Sequence, residues 1–131
     1  MKTREDNPHD WIYLAQERLR AADALFATEG VTLSGVELLH ESVERYLKAF
    51  LISRGWKLRK VHDLAFLLDE CISREPQFGG FQDLAETLTE QFWAQHYPGG
   101  DLTGIGSNYP DLRDQTTRLV ALVRELTEVP G

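Results

Sequence analysis

One cysteine, one methionine and no sustained apolar run: each scarcity in this 131-residue chain closes off a class of protein. A lone Cys71 excludes an intrachain disulfide framework. Within LAFLLDECI it shares a helical face with Leu64, Leu67 and Leu68, so it reads as a small buried hydrophobe rather than a reactive thiol. Charge interrupts every apolar stretch within a few residues, and the N-terminal MKTREDNPHD is polar where a secretion signal would be apolar. The expectation is a cytoplasmic protein with no membrane contact. Basic residues are outnumbered 14 to 21, a formal net charge of -7. That balance weighs against broad phosphate-backbone binding, which draws its affinity from neutralised phosphates. Alternating β-branched segments, internal repeats and low-complexity tracts are also missing.

What is present is helical grammar. In NPHDWIYLAQERLRAADALFATEG, Asn7 reads as an N-cap, Pro8 as the first helical residue and Asp10 as an anion facing the positive helix end. Trp11, Leu14, Ala15, Leu19, Ala22, Leu25 and Phe26 recur at helical spacing until Gly30 stops the element. SGVELLHESVERYLKAFLISRG follows suit, with Ser34 and Glu37 as a capping box, a stripe of Val36, Leu39, Val43, Leu47 and Phe50, and Gly55 as terminator. These two helices should pair antiparallel across a short turn. HDLAFLLDECISRE predicts a third helix ended by Pro76, and FQDLAETLTEQFWAQ a fourth with Phe81, Leu84, Leu88 and Phe92 inward. The glycine-rich stretch from HYPGGD to GSNYP predicts a long loop, after which Pro110 opens a last helix carrying Leu112, Thr116, Leu119, Val123 and Leu126 on its inner face. The fold class is therefore all-α: one domain, core about 7–128, an up-and-down bundle of about five helices.

Charge is unevenly placed. The first 60 residues hold ten Lys and Arg against nine Asp and Glu, the remainder four against twelve. Arg54, Lys57, Arg59 and Lys60 surround Trp56, which makes either a stacking surface for a base beside cations for its phosphate, or a solvated loop with the indole tucked inward. On the second helix His40, Glu44 and Lys48 lie at i, i+4 and i+8 and can touch in sequence. The flank is either an ordinary ion-paired face or a polar seam lining a groove. His62-Asp63 suits a helix start, where an acid satisfies free backbone N–H groups. His40, His62 and His96 show no HxxxH or CxxC spacing, and no P-loop, GxGxxG or G-x-S-x-G motif occurs, so no metal or cofactor is implied.

The order of W-x3-A-x3-L-x2-A (Trp11, Ala15, Leu19, Ala22), then Glu41-Ser42-Val43-Glu44-Arg45-Tyr46-Leu47-Lys48-Ala49, then Val61-His62-Asp63-Leu64, then His96-Tyr97-Pro98 resembles the HEPN family (higher eukaryotes and prokaryotes nucleotide-binding domain) from Trp11 to about Leu126. The resemblance implies a helical bundle that usually dimerises. It also implies a minimal nucleotidyltransferase as partner in a toxin–antitoxin-like pair, and, in some members, ribonuclease activity from an Arg-x4–6-His motif. Here the family's frequent R-Y-P is His96-Tyr97-Pro98, which trades a fixed cation for a ring mostly neutral at pH 7. The one Arg-x4–6-His match, Arg4 to His9, precedes the first helix and is expected by chance. The reading is a non-catalytic homodimer with no catalytic residue assigned. It binds a nucleotide or RNA, or a nucleotidyltransferase partner, in a groove edged by Glu44, Lys48, Trp56, Lys57, Arg59, Lys60, His62, Asp63, His96 and Tyr97. A metal-independent ribonuclease toxin and a pure interaction module are the alternatives. Dimer contacts are expected from apolar residues outside the main stripes: Ile12, Tyr13, Leu38, Ile52 and Leu122.

Overall fold

The structure, a computed structural model, describes residues 1–128 and contains five α-helices, with no strand among the described residues. Helix α1 spans Pro8–Glu29, α2 Leu33–Ser53, α3 Leu64–Arg74, α4 Gln82–His96 and α5 Ile105–Thr127; a 3₁₀ turn, Pro76–Phe81, joins α3 to α4. The local signals act as read at most ends. Asn7 accepts from the His9 amide, Gly30 closes α1 at φ 74°, and Asp63 accepts from the Ala65 and Phe66 amides at the start of α3. Each satisfies backbone groups that the first or last helical turn leaves free. One cap differs. The Thr32 hydroxyl, not Ser34, accepts from the Gly35 amide, so α2 starts earlier and Glu37 is released from the expected capping box.

Helix α2 is the centre of the bundle, packed against α1, α3, α4 and α5. From Ser42 to Leu51 only Arg45 escapes burial. Its stripe joins Leu64, Leu67, Leu68, Phe78, Leu84, Leu88, Leu112, Leu119 and Val123 in one continuous core, which also takes in Cys71. Burial pushes the Cys71 thiol up, away from the reactive thiolate. On α1 the arrangement departs from expectation. Ile12 is core, while Phe26 is 42% exposed and stacks on Tyr109. Of the residues expected to supply a dimer surface, Ile12 is therefore unavailable. Tyr13 is exposed, and Leu38, Ile52 and Leu122 are half-buried within the bundle, so less apolar surface remains than the sequence implies.

The last helix also starts earlier than Pro110. Gly104, in the left-handed region at φ 86°, precedes Ile105, and Pro110 lies inside α5. Proline there removes one backbone donor. Burial of Ile105 and Tyr109 holds this first turn on the bundle regardless. The connection is correspondingly short, residues 97–104, and it folds back on α4. A Cβ at Gly100 would lie 2.6 Å from the Ala94 Cα, an approach that only glycine permits.

Candidate functional site

The site is built where the return loop crosses α2. Helix α2 ends with the Trp56 amide donating to the Leu51 carbonyl and Gly55 at φ 83°. The chain then runs back along the helix until His62 meets Glu44. The His62 Nδ1 lies 3.1 Å from both Glu44 carboxylate oxygens, and Lys48 Nζ is 3.1 Å from Oε2. An ionised carboxylate only accepts, so Nδ1 carries a proton and donates. With 73% of the His62 side chain exposed, its Nε2 remains open with a lone pair whenever the ring is neutral.

Beside this pair a cleft of about 460 Å³ opens between α2, the start of α3 and α4, within the range of small-molecule sites. Glu37, His40, Glu41 and Glu44 line one wall, His62 and Asp63 the rim, and Thr89, Phe92 and Trp93 the other wall. His40 is 4% exposed, and among the described residues neither of its ring nitrogens has a hydrogen-bond partner. Burial lowers its pKa from 6.5 to about 4, outweighing the opposite pull of Glu44 and Glu37, so the ring is neutral at pH 7. It stacks on Phe92 at 4.8 Å, and His96 packs on the same ring at 4.1 Å while its Nε2 reaches Glu37 at 3.3 Å. The three histidines therefore converge, as no spacing in the sequence required. No cluster of three His, Cys, Asp or Glu among the described residues is placed to hold a metal ion.

The expected groove is divided. Glu44, His62 and Asp63 share the cleft, with His96 behind Phe92 and Tyr97 stacked on Trp93 at 5.5 Å. Lys48, expected to meet phosphate, is sealed instead: its side chain is 4% exposed, held by Glu44 with the Trp11 ring at 5.7 Å. Trp56 and Lys57 line a separate depression with Glu5 and Asp6, the indole packed on the core. The Arg59 guanidinium lies over Phe66 at 4.9 Å, and Lys60 is exposed. Glu37, His40, Glu41, Thr89, Phe92 and Trp93 complete the cleft but were not among the expected groove residues. His40 was visible as the flank that begins Glu44 and Lys48; the fourth-helix contribution had no signal beyond two adjacent aromatics.

Chemically, the Glu44–His62 pair orients an imidazole to accept a proton. Cleavage of RNA also needs a cation at the phosphate, and Lys48, the cation nearest the pair, is committed beneath Trp11. Arg4, of the lone Arg-x4–6-His match, pairs with Asp6 on the exposed N-terminal segment.

An all-helical bundle with a central helix carrying Glu44 and Lys48, and an Asp63-capped third helix behind His62, defines a helical-domain protein rather than an α/β nucleotide fold. Residues 8–129 match the family model of the HEPN domain, and the chain belongs to that family. No curated protein and no solved structure matches it. No helix among the described residues is long and apolar enough to cross a membrane.

Proposed function

We propose that this HEPN protein is non-catalytic and docks a partner protein in the α2–α4 cleft. The resemblance makes a minimal nucleotidyltransferase the partner to test. The observation that carries the reading is the state of the cleft's cations: Lys48 is buried against Glu44, and no arginine lines the cavity. A phosphate entering there would meet Glu37 and Asp63, neither of which has a Lys or Arg partner within 4.0 Å among the described residues. The α4 wall, by contrast, offers exposed aromatic surface at Trp93, with the exposed Tyr97 stacked on it just outside the cleft, a common anchor of protein interfaces. Co-expression with a nucleotidyltransferase encoded beside this chain is expected to yield a complex, and Trp93→Ala to weaken it by about tenfold or more. A complex indifferent to Trp93→Ala would remove the cleft from the interface.

Purified protein is expected to leave RNA uncut above background in the presence of a chelator. Cleavage that disappears in His62→Ala would establish the ribonuclease alternative through the Glu44–His62 pair. Cleavage lost in His9→Ala would point to the N-terminal Arg4–His9 match.

A nucleotide-binding role draws support from a different surface. Lys57 and Lys60 are exposed and form no ion pair among the described residues. Replacing Lys57, Arg59 and Lys60 together by Ala is expected to weaken binding of nucleotide or short RNA and to flatten its salt dependence. An unchanged salt slope would return the loop to a plain solvated connection.

A further inference from the structure

Most of the cleft's polar lining is carboxylate: Glu37, Glu41, Glu44 and Asp63. Glu44 is shared between Lys48 and His62, but Lys48 touches only Oε2, and Glu37 has one oxygen facing His96 and the other unused. His62 offers a lone pair at Nε2. His40 is more than nine-tenths buried, unpartnered and lines the cavity, held neutral at its floor. The Thr89 hydroxyl on the opposite wall is sealed from solvent and has no hydrogen-bond partner among the described residues, a costly state unless something completes it. The missing component is a hydrogen-bond donor, and the carboxylates require it to be positive.

Shape narrows the choice. Phe92 stands edge to face with Trp93 at 5.4 Å and carries His40 and His96 on its ring, so the open aromatic surface of this wall is the Trp93 indole, 53% exposed. A flat, weakly hydrated cation with several fixed N–H groups fits such a wall better than a compact, strongly hydrated ammonium. A nucleotide would bring the wrong charge.

We propose that the cleft receives one arginine side chain of the docked partner, its guanidinium packed on the Trp93 indole and donating to Glu37, Glu44 and the unprotonated nitrogen of His40. The proposal rests on the docking reading above and adds the chemistry that gives it specificity. One arginine offsets part of the carboxylate charge, donates to the unprotonated His40 nitrogen and is fixed in orientation by planar contact with Trp93. Loss of any one of those three interactions should be measurable separately.

The test uses the isotope-labelled full chain, followed by NMR at the Trp93 indole N–H and the His40 and His62 rings. The probes are acetyl-Gly-Arg-Gly-amide, its lysine counterpart and its citrulline counterpart, the last a neutral near-isostere of arginine. The arginine peptide is expected to shift these signals saturably, the lysine peptide to bind about tenfold more weakly, and the citrulline peptide to leave them in place. Glu37→Gln, at a half-exposed position that leaves the core intact, should weaken the arginine response several-fold, and Trp93→Ala should abolish it. An equal response to citrulline, or none to arginine at tens of millimolar, overturns the proposal. So does a response to guanosine or adenosine monophosphate where arginine gives none, which would make the cleft a nucleotide site. A silent arginine peptide with a partner complex still sensitive to Trp93→Ala would overturn the arginine and leave the docking reading standing. Arginine binding with a complex indifferent to Trp93→Ala would overturn both.

Discussion

Lys48→Met is expected to destabilise the protein by about 3–5 kcal/mol, the cost of leaving one member of a buried ion pair without its partner. Lys48 and Glu44 side chains are 4% and 9% exposed and 3.1 Å apart. Without the ammonium, Glu44 retains only His62, whose imidazole is largely in solvent. Total stability of a domain this size is about 5–15 kcal/mol, so the variant should show a large fall in urea midpoint. The double variant Glu44→Gln/Lys48→Met removes both charges and is expected to recover most of the loss, since a buried pair often does little better than neutral groups of similar volume. A single-variant loss below about 1 kcal/mol would place the pair among hydrated surface bridges. The same burial withdraws Lys48 from the ligands it was expected to hold.

That reversal shows where the sequence is informative and where it stops. Caps and stops are local chemistry, so Asn7, Gly30, Gly55 and Asp63 could be assigned from neighbours alone, and helical spacing placed His40, Glu44 and Lys48 on one flank. The side of the flank that faces solvent is not local. It depends on Trp11, 37 positions earlier than Lys48 in the chain, closing over the ammonium. Likewise the register of the loop after Gly55 decides that His62 reaches Glu44 while Trp56 and Lys57 face Glu5 and Asp6. At α5 the conflict is between punctuation and burial. Glycine and proline read as loop, but Ile105 and Tyr109 are buried strongly enough to extend the helix across Pro110. Thr32 took the cap from Ser34 for a related reason: moving the start two residues back leaves Glu37 free to face His96 and the cleft.

His40 sets a second large expectation, in pH rather than in denaturant at fixed pH. Burial holds its pKa at about 4 in the fold against an ordinary 6.5. Above 6.5 the ring is neutral in both folded and unfolded chains and contributes no pH dependence. As the pH falls below 6.5 the unfolded chain takes up a proton that the fold refuses, so stability declines through the interval down to about 4 and levels off below it. The groups facing the ring from α2 and its neighbours, Glu37, Glu44, His62 and His96, pull in opposing directions, and desolvation exceeds them. Other groups also titrate in acid, so the informative quantity is the difference between wild type and His40→Gln. That difference is expected to move in favour of the variant by up to about 1.4 kcal/mol per pH unit over the interval. Urea midpoints measured at steps from pH 7 to 4 would check it. Parallel curves for the two proteins would mean that His40 accepts its proton in the fold, stabilised by Glu37 and Glu44. The cleft would then already contain the positive charge that the arginine is proposed to bring.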